Sequence, residues 1–157
     1  MIDQISAFFT IEMIYLWLTF GVIPFWLILI LFPQSKICGF FVTSIFPFLI
    51  LGSVYIYLLY YFFNTNFNFI ENFELYLGIY SLANLLENEA FIILIWTHFL
   101  AINLFCAAWI VHDSKKYLMS KYLNAIPLII TYFIGPVGII IYWIIRIFFA
   151  KKISLFD

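Results

Sequence analysis

Charged residues are scarce in this sequence. They make up 10% of the 157 residues, whereas hydrophobic residues make up 67%. A soluble domain carries about 25% charged residues, because polar groups must cover much of its surface. This scarcity excludes a soluble globular domain and a disordered chain. The net charge of −1 excludes a field that attracts nucleic acid, so no nucleic-acid partner is expected.

Several chemical signatures are also missing. Cys38 and Cys106 form neither a CxxC pair nor a disulfide framework, and no glycine-rich phosphate loop or nucleophile elbow occurs. Every lysine flanks an apolar stretch, which excludes a retinal Schiff base on a lysine in mid-membrane. His98 and His112 are separated by about 21 Å along a helix, whereas a metal lies about 2 Å from its ligands. We therefore expect no metal, haem or other cofactor.

Long apolar stretches are what the sequence does have. A spanning helix needs about 20 mostly apolar residues, and four stretches meet this need: 11–32, 37–63, 90–111 and 125–150. The sequence therefore predicts an all-α integral membrane protein, with residues 1–157 forming a single four-helix membrane domain. A short interfacial helix is expected between the second and third spans, because Phe73, Tyr76, Leu77, Tyr80 and Asn84 share one helical face.

Four spans would divide the basic residues almost evenly between the two sides of the membrane. Lys36, Lys115, Lys116 and Lys121 would lie on one side, and Arg146, Lys151 and Lys152 on the other. Basic residues favour the cytoplasmic side. With four basic residues on one side and three on the other, an orientation that places the short turns in the cytoplasm is favoured only weakly.

Polar groups deep in a membrane are costly, and each is a functional candidate by default. His98 is the only ionisable residue predicted near the bilayer centre. It is interpreted either as an acid, base or ligand donor, or as a histidine bonded to a neighbouring helix. An arginine at the depth of Arg146 needs a partner, and we expect Glu89, with Glu12 as the alternative. Arg146 would otherwise extend to the interface with Lys151.

The segment Gly135-Pro136-Val137-Gly138 interrupts the predicted fourth helix. Proline removes one helical hydrogen bond and kinks the chain. The two glycines allow close approach of either a flat ligand or another helix, and helix packing is the more common case.

Four ordered motifs resemble the abscisic-acid-deficient-four-like family, which includes plant neoxanthin synthase and bacterial relatives. They cover nearly the whole chain: 22–26 (VIPFW) with Phe32-Pro33; 50–60 (ILGSVYIYLLY); 96–100 (WTHFL) with 103–105 (NLF) and 109–113 (WIVHD); and 135–139 (GPVGI) with Arg146. The resemblance implies a four-helix membrane protein of a bacterial inner membrane or a photosynthetic membrane.

In the plant branch, the resemblance implies conversion of the epoxy-carotenoid violaxanthin into the allenic neoxanthin, an isomerisation without net redox change. The polar positions that match are the catalytic candidates: Glu89, His98, Asp113 and Arg146. The candidates for binding the substrate are Asn103, Trp96, Trp109, Gly135, Pro136 and Gly138. Glu89 and His98 are the expected acid and base, in a slot widened by Gly135 and Gly138, with Arg146 tuning Glu89.

One departure separates this chain from the family pattern. The family usually has an aspartate where this chain has Asn103, and an amide cannot replace a carboxylate in proton transfer. Two interpretations therefore stay open. The protein either acts on an epoxy-carotenoid or related isoprenoid lipid as an intramolecular isomerase, or is a non-catalytic membrane subunit that binds pigment or lipid.

Overall fold

The computed structural model describes residues 10–64 and 78–151. Within these ranges the chain is helical and contains no strand, which confirms the all-α prediction. Six α-helices are present: α1 Ile11–Leu31, α2 Phe46–Asn64, α3 Ile79–Leu86, α4 Glu89–Lys116, α5 Lys121–Phe133 and α6 Gly135–Ala150. A short π-helix, Cys38–Val42, precedes α2.

Three helical stretches of the described chain are long and apolar enough to cross a membrane: Ile11–Leu31, Cys38–Tyr61 and Glu89–Lys116. They correspond to the first three predicted spans. A helix of 21 residues is about 31 Å long, which matches a hydrocarbon core of about 30 Å. The prediction of a membrane protein is therefore supported.

The third span, α4, has defined ends. The side-chain Oδ1 of Asn88 accepts hydrogen bonds from the backbone N–H groups of Ala90 and Phe91, at 3.0 and 3.3 Å. Such a cap satisfies backbone donors that have no partner within the helix. At the other end Lys115 and Lys116 lie in the last turn, where positive charge suits the helix dipole. These ends fix the position of every polar residue along the length of α4.

The helix α3 lies within the segment where an interfacial helix is predicted. Of the residues predicted to share its face, only Tyr80 and Asn84 belong to α3, and both are exposed. Phe73, Tyr76 and Leu77 lie outside the described residues. The location of α3 at the membrane interface stays a prediction.

Contacts between Cα atoms divide the chain into two compact units. Unit 1 comprises Met1–Gly21 and Leu49–Phe99, and unit 2 comprises Val22–Phe48 and Leu100–Asp157. The prediction of a single domain stays untested, and the two units are described separately.

The predicted fourth span is wrong, because the chain in unit 2 breaks at Ile134. Ile134 has φ −141° and ψ 83°, outside the helical region, and separates α5 from α6. Gly138 of α6 then lies against Thr131 of α5. In one continuous helix these residues would be about 10 Å apart along the axis. Residues 121–150 therefore form a helical hairpin, the α5–α6 hairpin.

Both ends of the hairpin lie near the C-terminal end of α4. Its tip, at Gly135, lies against Asn103 in the middle of α4. Eleven residues later, Arg146 bonds to Asp113 near the C-terminal end of α4. The helix α6 therefore runs parallel to the second half of α4, back toward the end from which α5 started.

This hairpin changes the distribution of charge across the membrane. With three spans and a hairpin, the six basic residues of the described chain fall on the side of the Lys36 turn: Lys36, Lys115, Lys116, Lys121, Arg146 and Lys151. Within residues 10–64 and 78–151, the predicted division of basic residues between the two sides becomes six against none. The excess of basic residues on cytoplasmic segments now favours one orientation clearly.

Candidate functional site

A buried charge cluster lies in unit 2, where the C-terminal part of α4 meets α6. The Oδ2 atom of Asp113 accepts hydrogen bonds from the Tyr142 hydroxyl and from Arg146 Nε, each at 2.7 Å. Arg146 Nη2 donates to the Tyr117 hydroxyl at 3.0 Å. The residue Arg146 is 1% exposed and Asp113 is 8% exposed. We call Asp113, Tyr117, Tyr142 and Arg146 the charge cluster.

Local sequence spacing builds the charge cluster. Asp113 and Tyr117 are four residues apart at the end of α4, and Tyr142 and Arg146 are four residues apart on α6. Side chains at this spacing share one helix face. Because α6 runs beside α4, the two pairs face each other.

Aromatic rings enclose the Arg146 guanidinium. Its central carbon lies 5.0 Å from the Tyr117 ring centroid and 5.8 Å from that of Trp143. The Trp109 ring packs edge-on against Tyr142 at 5.6 Å. These rings keep bulk solvent away, and attraction between a cation and aromatic faces adds to the ion pair. Aromatic side chains therefore cover most of the charge cluster.

Within the cluster the two oxygens of Asp113 are not equivalent. Oδ2 receives both hydrogen bonds, whereas no residue within 10–64 or 78–151 donates one to Oδ1. Asp113 thus combines one carboxylate oxygen that two hydrogen bonds hold in place with a second oxygen that they leave open.

The hairpin tip is the second feature of the site. A methyl group at Gly135 would overlap the side-chain amide of Asn103, and one at Gly138 would overlap Thr131. Both glycines therefore serve close helix packing and do not widen a slot for a ligand. Asn103 is 3% exposed, and its Nδ2 atom has no hydrogen-bond partner among the described residues. The neighbouring Pro136 occupies the first turn of α6, where its missing N–H costs nothing.

Glu89 and His98 lie in unit 1 and are both exposed. The Glu89 side chain lines a cavity of about 360 Å³ together with Glu12 and Tyr15. The His98 ring lies 6.3 Å from that of Tyr55. Nine residues of a straight helix rotate by about 900°, which places Glu89 and His98 on opposite faces and about 13 Å apart. The structure therefore does not bring this predicted acid and base together.

Trp96 also belongs to unit 1. Its Nε1 donates a hydrogen bond to the Thr19 hydroxyl at 3.2 Å, and its ring stacks on Phe99 at 5.3 Å. These contacts give Trp96 a structural role in joining α4 to α1. Its predicted role in substrate binding is untested.

The predicted partner of Arg146 is wrong. The carboxylate that Arg146 binds is Asp113 and not Glu89 or Glu12. The reason is the hairpin, which returns Arg146 to the end of α4 that carries Asp113. The Arg146 side chain is buried in the protein, and its predicted extension to the membrane interface stays a prediction. The structure thus unites two predicted catalytic residues, Asp113 and Arg146, with Trp109 beside them.

Two members of the charge cluster, Tyr117 and Tyr142, are not among the residues predicted from the sequence. The two four-residue spacings, Asp113 to Tyr117 and Tyr142 to Arg146, are the signal that identifies them. In the part of the chain that the structure describes, no group of three or more His, Cys, Asp or Glu residues is arranged to hold a metal ion.

Comparison with known proteins gives one match. The model of a family described as ABA DEFICIENT 4-like (ABA4-like) matches residues 13–142. This range runs from the third residue of α1 to the middle of α6, and the match confirms the family resemblance. Arg146, which belongs to the last motif, lies beyond the matched range. No curated protein and no solved structure is similar enough to the chain to count as a match.

Proposed function

The chain belongs to the ABA DEFICIENT 4-like family, and we propose that it isomerises an epoxy-carotenoid or a related oxygenated isoprenoid lipid within the membrane. The observation that carries this proposal is the buried charge cluster around Asp113. An ionised pair buried in a membrane segment is costly, and such residues mark functional sites by default. The proposed location is a bacterial inner membrane or a photosynthetic membrane.

The proposed reaction needs one proton to move and no redox partner. A C–H bond on the polyene carbon beside the epoxide breaks, and its electron pair forms the second double bond of an allene. The epoxide C–O bond breaks at the same time, and the oxygen takes a proton and becomes a hydroxyl. The number of atoms and electrons in the lipid is unchanged. A base and an acid are therefore the groups that the protein must supply.

Asp113 supplies both groups in this proposal. Its Oδ1 accepts the carbon-bound proton, and the resulting carboxylic acid returns the proton to the oxygen. Arg146 and the Tyr142 hydroxyl hold Oδ2 and orient the carboxylate. Exclusion of water by the surrounding rings strengthens these interactions. Arg146 is a positioning residue for Asp113, in place of its predicted role beside Glu89.

A non-catalytic protein that binds pigment or lipid is the second candidate. Asn103 favours it, because the amide stands where the family resemblance places an aspartate, and its Nδ2 is buried without a partner. An amide can hold a ligand oxygen by hydrogen bonding but cannot take part in proton transfer. The two candidates differ in whether the lipid leaves the protein changed.

Pigment chromatography tests the proposal. The full chain is expressed in cells that accumulate violaxanthin, and lipid extracts are compared with those of cells that lack it. We expect a new allenic product with the natural chain. Asp113→Asn should reduce the product at least about 100-fold per folded protein, since a general base contributes about 10²–10⁴-fold. Asp113→Glu keeps a carboxylate and should retain more product than Asp113→Asn.

Glu89→Gln and His98→Ala serve as matched controls on the same helix. Both should retain product, because neither residue belongs to the charge cluster. Full activity of Asp113→Asn would refute the assignment of Asp113. Unchanged violaxanthin that co-purifies with the natural chain, without product, would support the non-catalytic candidate instead. If neither product nor bound pigment appears, both candidates fail.

A further inference from the structure

Exposed lysines gather at one end of unit 2. They lie in the turn after α1, in the last turn of α4, at the first residue of α5 and at the C-terminal cap of α6. In that order they are Lys36, Lys115, Lys121 and Lys151, and all four are exposed. The Lys115 ammonium lies near enough to Cys38, two residues after Lys36, for its charge to act on the thiol. We call these four lysines the lysine rim.

The lysine rim is not balanced by carboxylates among the described residues. Within residues 10–64 and 78–151, none of its four ammonium groups makes an ion pair. Asp113 is the one acidic residue of the described chain at this end of unit 2, and Arg146 already binds it. The other acidic residues that the structure describes belong to unit 1: Glu12, Glu87 and Glu89. The rim is therefore a surface of one charge sign, which fits an anionic partner.

Ordered backbone holds the lysine rim in place. In the turn after α1, Ser35 Oγ donates to the carbonyl of Phe32 at 2.9 Å and accepts from the Cys38 N–H at 3.0 Å. In the loop between α4 and α5, the N–H of Met119 donates to the carbonyl of Ser114 at 3.0 Å. The lysines thus extend from fixed positions, so that little backbone has to be ordered when a partner binds.

The loop between α4 and α5 also exposes apolar surface beside the lysines. Leu118 is 91% exposed and Tyr122 is 76% exposed, whereas Met119 between them is buried. The Lys121 ammonium lies 5.2 Å from the Tyr122 ring centroid. Leu118 has φ 52°, a left-handed conformation that is unfavourable for a residue with a Cβ. Packing among the described residues therefore does not explain why this position carries a leucine.

Phospholipids combine negative charge with apolar surface. The helix α4 is long and apolar enough to span a membrane. Because charge avoids hydrocarbon, a span that ends in Lys115 places the rim at the level of the head groups. A lysine ammonium binds phosphate as a point charge, and leucine and tyrosine side chains insert where head groups meet acyl chains. A soluble anion or a nucleic acid has no acyl chain to cover Leu118.

We propose that the lysine rim and Leu118 bind an anionic phospholipid, phosphatidylglycerol, with its phosphate on the lysines and an acyl chain against Leu118. Phosphatidylcholine carries the same phosphate, but its choline cancels the negative charge. The rim therefore favours phosphatidylglycerol. This surface lies outside the charge cluster, and the proposed reaction does not depend on it.

Native mass spectrometry tests this preference with two lipids in direct competition. The delipidated full chain in a neutral detergent is mixed with equimolar phosphatidylglycerol and phosphatidylcholine, and the complexes that carry one lipid are distinguished by mass. We expect phosphatidylglycerol on at least about fivefold more chains, the factor that one lysine supplies at an anionic surface. The factor should decrease as the concentration of ammonium acetate rises, because salt screens exposed charges.

Substitutions in the lysine rim locate the binding. Exchange of all four lysines for glutamine should bring the ratio of the two bound lipids to about one. Exchange of the same four for arginine keeps the charge and should keep the preference. The double variant Glu12→Gln/Glu87→Gln is the control for net charge, since both glutamates are exposed and lie in unit 1. It should leave the ratio unchanged.

Leu118→Gly separates apolar contact from folding. Glycine adopts φ 52° without strain, so the free energy of unfolding should not fall. The variant should nevertheless retain less of both lipids at an unchanged ratio, because it removes apolar surface and no charge. Equal binding of the two lipids by the natural chain, or an unchanged preference in the glutamine variant, would overturn the proposal. Unchanged lipid retention in Leu118→Gly would overturn it as well.

Discussion

Replacing Gly138 by alanine tests the hairpin directly. The added Cβ would lie 2.5 Å from the backbone nitrogen and 2.6 Å from the Cα of Thr131. Ordinary contacts begin near 3.4 Å, so α6 must move by about 0.9 Å relative to backbone that α5 holds rigidly. Overpacking of this kind costs about 1–3 kcal/mol, and a shift this large belongs at the upper end. Alanine regains about 1 kcal/mol of helix propensity. We therefore expect a net loss of about 2 kcal/mol.

The assay is the free energy of unfolding, measured by titrating mixed micelles with sodium dodecyl sulfate. Gly52→Ala on α2 is the matched control, because no atom lies within 4 Å of its added Cβ. It should be neutral or more stable than the natural chain. In a continuous fourth span, Gly138 and Thr131 would not touch, and the two variants would behave alike. Equal stability of the two variants would refute the hairpin.

Two further predictions follow from the hairpin. In a cysteine-free background, single cysteines that replace Gln34 and Lys151 should react with a membrane-impermeant maleimide added on the same side of the membrane. A single cysteine that replaces Asn88 should react only from the opposite side. If the Lys151 and Asn88 positions were labelled from one side, the hairpin would be contradicted. Arg146→Met should lower the free energy of unfolding by about 3–5 kcal/mol, because it leaves the buried Asp113 carboxylate without its cation. The double variant Asp113→Leu/Arg146→Met should recover most of this loss, as measured by the same detergent titration.

The apolar spans were predictable from sequence because their signal is local. A run of about 20 apolar residues has few alternatives to a membrane helix. The three helices that are long and apolar enough to span a membrane are all of this kind. The family was also predictable, since its motifs are short and lie in order along the chain.

The hairpin was not predictable from the same signal. The apolar run 125–150 is as long as a span, and Gly135-Pro136 suits a kink and a new helix start equally well. Contacts far apart in sequence decide between them, such as Arg146 with Asp113. The error over the partner of Arg146 follows from this one choice. A fourth span directs Arg146 toward Glu89, whereas the hairpin returns it to Asp113.

The even distribution of polar residues along α4 was also misleading. The sequence shows Glu89, His98, Asn103 and Asp113 on one helix but not which of them are covered. In the structure Asn103 and Asp113 are buried, whereas Glu89 and His98 are exposed. The burial of Asn103 and Asp113 depends on their contacts with α6, and no local sequence pattern predicts those contacts.

The three-span arrangement also has a consequence for insertion. Between Asn64 and Ala90 the sequence carries four glutamates, Glu71, Glu74, Glu87 and Glu89, and no lysine or arginine. In the favoured orientation this connection lies outside the membrane, and the electrical potential on the cytoplasmic side is negative. Each elementary charge moved across 100 mV is worth about 2.3 kcal/mol. The membrane potential therefore favours the acidic connection on the outside and opposes the export of the six basic residues of the described chain. An energised membrane itself thus favours this orientation of the protein.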